Sequence, residues 1–490
     1  MNTLKKLLCL GLAATFIVAS MASCANDKDD EKDPQTTQSG NNKEDADKNY
    51  DFVEDDFDGA EFKFLHYGDT ATDFHDQYIW SENFSGGVIG DAVIERNQNV
   101  EDMYNVTITA EECGPMGEAT KRQQAGQCDF EVIYEWGIRS KTAAIEGKLL
   151  DIYELEDYIH LDRSYWVPSA VEGLTVADRM FVTTNMVSMN SLSWAGIIYF
   201  NKSLMDKLNF TYPYNYVEQN NWTYDVLIPM VLASEEDVNG DGEMTIEDQF
   251  SGMSGNSILS AVCSAPLLED NGDGSYTLIP YTEGMVAQYS KYNSLLKSIE
   301  ELEMSEALEG ADTSGFASQF IAWRFLSFGE DHQVFLGGSI DMTKEFVDMQ
   351  SDYGIVPTPV VNAGDDYSCD VDYCAPMFSM PLQLEDPEMA AVVFDYLAYQ
   401  SEELLLPAYY DTTIKTKRMQ DTRDYDMLDI IRDSIGYKWT GVYMWDSEMV
   451  QLRDKMLASG NFASVAKRFG NKCQAELDEM VDTLTTVGLE

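Results

Sequence analysis

Twelve residues from Asp237 to Asp248 carry the densest chemistry in the chain. Their pattern, D-x-N-x-D-G-x-x-T-x-x-D, puts oxygen side chains at the first (Asp237), third (Asn239), fifth (Asp241), ninth (Thr245) and twelfth (Asp248) places. Hard divalent cations take oxygen ligands at this spacing; Glu243 would add its main-chain carbonyl, and Gly242 permits the sharp bend. The expectation is a structural calcium ion that pins a loop, with Asp248 in place of the usual Glu lowering the affinity. The alternative is an acidic turn without metal. The nearby Asn271-Gly272-Asp273-Gly274 is not a second such loop, because Pro280 stands where its last acidic ligand would fall. That stretch reads as a hairpin turn.

A second group has the makings of ligand recognition. Tyr134-Glu135-Trp136 and Arg139 follow an apolar run directly. Aromatic faces stack on the C–H groups of a sugar ring, and charged or amide groups beside them bond its hydroxyls. Glu135 and Trp136 supply both; the rival reading has Trp136 packing the core and Glu135 solvated. Other chemistries lack their residues. There is no GxSxG and no HExxH, and the four histidines (His66, His75, His160, His332) stand apart. After Cys24 come Cys113, Cys128, Cys263, Cys369, Cys374 and Cys473, with no CxxC, which argues against zinc. Cys113 with Cys128, and Cys369 with Cys374, are close enough in sequence to pair; free buried thiols are the equal alternative.

Charge narrows the partners. The chain holds 86 acidic and 32 basic residues, a net charge of -54. Such a surface repels phosphate backbones, so no nucleic acid is expected as a partner. The N-terminus offers a different contact. Lys5-Lys6, the apolar stretch from Leu7 to Ala19 and the small-residue run ending at Ser23-Cys24 make an export signal too short to span a bilayer. Residues 1–23 are expected to be a signal peptide, and losing its two lysines takes the net charge to -56. Residues 25–50 have almost no apolar side chains and cannot bury enough surface to offset their ordering entropy. A flexible acidic linker is expected there.

The elements that must position these groups are read from periodicity. Phe62 to Tyr67 alternates as a strand; Gly90-Asp91 offers a helix N-cap, with Ala92, Val93, Val100, Met103 and Tyr104 on one face. Val106-Thr107-Ile108 and Asp129 to Tyr134 read as further strands, and a helix through Ala143-Ala144 follows. Asp386-Pro387 starts a later helix with Met389, Val392, Val393, Tyr396 and Leu397 as its buried stripe. Strands alternating with helices predict parallel βαβ units and an α/β class. A folded part of this length predicts two lobes.

Several segments carry a resemblance. Met21-Ala22-Ser23-Cys24 resembles the bacterial lipoprotein box, with Met21 for the usual leucine, which implies that Cys24 is lipidated (a palmitate-bearing anchor) and is the first mature residue. Gly90 to Asn97 leading into Tyr104 to Ile108, Cys128 to Ile152, Ile197 to Lys202, Asn221 to Asp225 and Tyr353 to Pro359 resemble, in order, the type 1 extracellular solute-binding proteins of carbohydrate importers. The resemblance implies a two-lobed, periplasmic-binding-protein-like fold (type II) with parallel-rich sheets flanked by helices and a ligand cleft between the lobes. It implies lobe I over 51–186 plus 338–379 and lobe II over 187–337 plus 380–490, with crossings near Asn185, Gly337-Gly338 and Met380. It implies ligand contact for the loop holding Glu135, Trp136 and Arg139; Trp194, with Asn190 beside it, is a second candidate whose equal alternative is a core tryptophan, and Trp323, Tyr367 and Asp372 are further candidates. Trp222 is expected to cap or pack its helix and not to touch ligand. The implied protein is a monomer on the extracytoplasmic face of the cell membrane, with a carbohydrate ligand and an ABC transporter permease as partners. Two rival readings stand beside it: a glycoside-acting enzyme using two carboxylates, and a calcium-dependent surface adhesion lipoprotein.

Overall fold

Neighbouring strands can pair in parallel only when a crossover returns the chain to the same end, and two helices early in the fold do this. The computed structural model describes residues 52, 54–67, 79, 87–263, 268–299, 301–302, 304–316, 318–419 and 421–488. The expected signal, linker and Cys24 lie outside these residues. The described strands are β1 (Ala60–His66), β2 (Val106–Glu112), β3 (Val132–Trp136), β4 (Gly196–Asn201), β5 (Leu268–Asp270), β6 (Tyr276–Leu278), β7 (Phe335–Ser339), β8 (Tyr353–Pro357), β9 (Cys369–Asp370), β10 (Pro376–Ser379) and β11 (Ile435–Gly436).

Helix Val88–Tyr104 returns the chain from β1 to β2, and helix Pro115–Gln124 from β2 to β3. β1 therefore pairs in parallel with both β2 and β3, while β10 adds antiparallel to β3, giving the order β10-β3-β1-β2. The first helix begins at Val88, before the expected Gly90-Asp91 cap. Asp91 instead lies in its first turn, where a negative charge suits the helix dipole, and Asn105 ends it at φ 46. Phe62 and Phe64 are fully buried. Phe64, Phe378 and Phe394 meet with ring centroids 5.2–6.4 Å apart. Each such ring is worth roughly 2–3 kcal/mol of burial. Phe394 comes from helix Pro387–Gln400, capped as expected by Asp386, whose carboxylate accepts the Met389 N–H at 3.0 Å.

The second sheet is built differently. β4 lies between β7 and β8 and runs antiparallel to both. Tyr199 of β4 packs edge-on against Phe328 and Phe346, and Trp222 is fully buried, donating its Nε1–H to the Pro357 carbonyl at 2.9 Å. β5 and β6 form the hairpin expected around Asn271 to Gly274. Among the described residues, no helix is long and apolar enough to cross a membrane.

Sheet membership differs from the expected lobe boundaries. β8 falls inside 338–379 yet belongs to the β4 sheet, and helix Pro387–Gln400 falls inside 380–490 yet packs on the first sheet. The chain crosses between the sheets after β8, within 358–375, and Gly337-Gly338 is part of β7 itself. Hydrophobic pattern marks a strand but not its pairing partner, so such crossings are set by tertiary contacts. Arg96, in the segment that carried the resemblance, is fully buried and ties elements together. Its guanidinium donates to the carbonyls of Ile79 (2.7 Å) and Val187 (3.3 Å) and to Ser401 Oγ (3.2 Å). Burial lowers its pKa to about 9. Asp56–Glu490 forms one unit on this frame.

Candidate functional site

A cleft of ≈ 770 Å³ opens beside β7. Its wall includes Gly337, Gly338 and Ser339 of β7 and Gly196 of β4, which pair across the sheet edge. A side chain at Gly337 would meet no atom within 4 Å, so glycine leaves the cleft open here. Helix Gln319–Arg324 brings Phe320, Trp323 and Arg324 to the site, held at its start by Ser318 Oγ, which accepts the Ile321 N–H at 3.2 Å. The Phe320 and Trp323 rings lie 5.5 Å apart. The turn after β7 supplies Asp341, Met342 and Glu345, and the run Asp370 to Tyr373 closes the other side.

Buried charge in this wall is paired. Arg324 and Glu345 are both almost fully buried and meet at 2.6 Å, and the Arg324 guanidinium also lies 4.5 Å from the Phe320 ring centroid. Lys344 holds Asp341 at 2.9 Å, and at the exposed rim Lys438 holds Asp370. Two neutral groups are different. The Trp323 indole N–H and the Gln333 side-chain oxygen are buried in the cleft wall without a hydrogen-bond partner among the described residues. A buried polar group left unpaired costs about 1–3 kcal/mol. A ligand offering an acceptor to Trp323 and a donor to Gln333 would recover that cost.

Of the residues expected from the sequence, Trp194, Trp323 and Asp372 line this cleft. Asn190 does not: it is buried, with its amide on Tyr134 Oη and on the Pro376 carbonyl at 3.0 Å, so it ties the segment leading into β4 to the first sheet. Tyr367 packs against the core of the β4 sheet and is also absent from the lining. Glu135, Trp136 and Arg139 gather at the end of β3, outside the lining. There the Arg139 guanidinium covers the Trp136 ring at 4.2 Å and also reaches the Tyr67 ring at 5.1 Å. Glu135 is buried; it accepts the Trp136 N–H at 2.8 Å, and burial pushes its carboxyl up to about 7. Arg139, 3.7 Å away and half exposed, does not offset that desolvation.

Phe320, Arg324, Gln333, Asp341, Glu345 and Tyr373 were not singled out from the sequence. The available signal was the Gly337-Gly338 pair, since adjacent glycines in a strand mark a place where something approaches the backbone closely. A smaller pocket of ≈ 230 Å³, lined among others by Lys438 and Trp445, shares Asp370, Val371 and Tyr373 with the main cleft. The six cysteines beyond Cys24 are free thiols. Burial raises Cys113, Cys128 and Cys263 to about 11, which leaves them protonated and unreactive at neutral pH.

The loop from Asp237 to Asp248 is closed by its own side chains. Asp237 accepts the N–H groups of Gly240 (2.7 Å) and Gly242 (3.0 Å), Asn239 that of Asp241 (2.9 Å), and Asp241 that of Glu243 (2.8 Å). Buried Asp248 accepts from Val238 and Thr245 at 2.8 and 2.9 Å, bonds that hold its pKa low against desolvation. Each carboxylate oxygen keeps a further lone pair, so the donor chemistry fits calcium. Among the described residues, however, no three His, Cys, Asp or Glu side chains are gathered as a metal group.

No protein-family model matches the chain, and no curated protein matches it. Solved structures do. A periplasmic oligogalacturonide binding protein from Yersinia enterocolitica is 12% identical with a TM-score of 0.52, over 86% of this chain and 100% of that one. A cyclo/maltodextrin-binding protein complexed with maltotetraose is 12% identical at a TM-score of 0.50, over 87% and 97%. A de novo designed cysteine esterase is 12% identical at 0.52, over 86% and 99%. Identities this low speak for fold alone. The chain has the α/β architecture of the two-lobed periplasmic solute-binding proteins.

Proposed function

We propose that this protein is an extracytoplasmic solute-binding lipoprotein that captures a sugar or oligosaccharide and delivers it to an ABC importer. The observation that carries the reading is the ≈ 770 Å³ cleft, whose walls combine Trp194, Phe320, Trp323 and Tyr373 with the unpartnered Trp323 N–H and Gln333 oxygen. Aromatic faces for a ring's C–H groups, together with a convergent donor and acceptor for its hydroxyls, are what sugar recognition needs. In this reading Trp194, Trp323 and Asp372 touch the ligand, and closure of the two sheets' lobes traps it. Glu135, Trp136, Arg139 and Asn190 build the frame. The fold shared with structures named for binding oligosaccharides supports the reading. So does the N-terminal sequence, in which a lipid on Cys24 and a polar linker would hold the folded part off the membrane.

Binding without turnover distinguishes this from a glycoside-acting enzyme. Titration of the purified protein with mono- and oligosaccharides, followed by tryptophan fluorescence and melting temperature, is the test. A saturable response to one sugar class, lost in Trp323→Ala, supports the reading. Silence toward every saccharide, or release of hydrolysed product, overturns it. We further propose that the 237–248 loop takes calcium in a structural role, on the strength of its donor spacing.

A further inference from the structure

We propose that the cleft selects glycans carrying a protonated amine, such as hexosamine oligomers, and refuses glycans carrying uronic acids or phosphates. This rests on the sugar-binding reading above and names its substrate class. Five carboxylates line the cleft: Glu301, Asp341, Glu345, Asp370 and Asp372. Three of them are answered within the protein, by Arg324, Lys344 and Lys438. Among the described residues, Glu301 and Asp372 have only neutral donors, the Ser254 hydroxyl at 2.7 Å and the Cys374 N–H at 2.7 Å. Among the described residues, the one cation in the lining, Arg324, is already locked to Glu345.

A second observation points to a ligand independently of charge. Gln333 is 4% exposed, lines the cleft, and its side-chain oxygen has no partner among the described residues. That oxygen accepts hydrogen bonds, and an ammonium or hydroxyl group would supply one. The tryptophan faces of Trp194 and Trp323 add to the same preference, because an indole ring attracts a cation placed over it. An anionic ligand gains none of this. It would meet two exposed carboxylates with no cation of their own among the described residues, on a protein whose net charge of -54 already repels anions at long range.

The test compares oligomers of one length and one linkage that differ only in charge: glucosamine, glucose and glucuronic acid. Both α-1,4 and β-1,4 series are titrated by calorimetry into the full chain at low salt and about pH 6, where amines and carboxylates are both charged. The glucosamine oligomer of one series should bind about tenfold tighter than the glucose oligomer, the worth of two partly exposed ion pairs. The advantage should shrink in high salt, and the glucuronic acid oligomer should not bind. The double variant Glu301→Gln with Asp372→Asn should erase the difference between the glucosamine and glucose oligomers at the wild-type melting temperature, whatever it does to the affinity the two share. Equal affinity for all three charge types, tighter binding of the acid, or an advantage that survives the double variant would each overturn the proposal. In those outcomes saccharide binding itself still stands. Absence of binding by every oligomer in both series would instead remove the saccharide reading, and this proposal with it.

Discussion

The end of β3 and the wall beside β7 both place an arginine near a tryptophan, and they resolve the pairing in opposite ways. At β3 the arginine is used on the ring: Arg139 covers Trp136 at 4.2 Å, and Glu135 is buried beneath on backbone donors. At β7 the arginine is taken by others. Arg324 is bound to Glu345 and lies over Phe320, while the Trp323 indole N–H lining the cleft has no acceptor among the described residues. Identical residue types thus give a closed, self-satisfied cluster in one place and an open one in the other. What separates them is whether the protein supplies the partner itself.

The largest expected effect tests the ion pair that keeps the β7 wall open. Arg324→Leu leaves Glu345 buried without its cation and should cost about 3–5 kcal/mol in urea unfolding. Arg139→Leu at the β3 end, where the guanidinium is half exposed, should cost less than about 1 kcal/mol. Comparable losses would mean that the two pairs are equivalent after all. Next comes binding: Trp323→Ala should weaken the ligand by about 2 kcal/mol, roughly 30-fold in Kd. Trp136→Ala should change Kd by less than about threefold and lower the melting temperature instead. A reversed ranking in the titrations would move the site to the end of β3.

The pH response sharpens the contrast further. Glu135 has a folded pKa of about 7, above the unfolded value of about 4.3. The stability gained by its protonated form is fully present below the unfolded pKa and is lost as pH rises through about 7. With Arg139 and solvent nearby screening part of the shift, the loss should be about 1–2 kcal/mol. Glu135→Gln should therefore melt higher than the wild type at about pH 8 and equally at about pH 4, with ligand affinity unchanged. Identical melting curves at both pH values would show that the carboxyl is not desolvated. The smallest effect concerns calcium. The 237–248 loop leads into Phe250, whose backbone bridges to Gln333 in the cleft wall. Calcium added after chelation should raise the melting temperature by about 2 °C, through Asp237 and Asp241. No shift in the wild type, or the same shift in Asp241→Ala, would leave the loop as an acidic turn.

Much of the frame was legible. Phe62 to Tyr67, Val106 to Ile108 and Asp386-Pro387 announced their elements because alternation and capping are local properties of a few adjacent residues. The third strand shifted from 129–134 to Val132–Trp136, since a strand's ends are decided by its neighbours, here β1 and β10. The site was harder. Trp194, Trp323 and Asp372, named from the sequence, line the cleft, whereas Glu135 and Trp136 lie at the end of β3 outside its lining, with Arg139 over the Trp136 ring. Nothing in a sequence tells which tryptophan has an arginine parked on its face. Phe320, Gln333 and Glu345 escaped notice for a related reason: they matter through a cleft that forms only when helix Gln319–Arg324 settles against β7.

By itself, then, the sequence determined the α/β class, the strongly acidic composition, the turn at Asn271 and the oxygen spacing of the 237–248 loop. Each depends on composition or on residues a few places apart. Tertiary structure alone decided that β8 joins β4, that the chain returns to the first sheet within 358–375, and that Asn190 is a strut. It also decided that Trp323 is open while Trp136 is covered. These are questions of which distant partner reaches a group first, and in a packed interior the partner that arrives leaves no room for another.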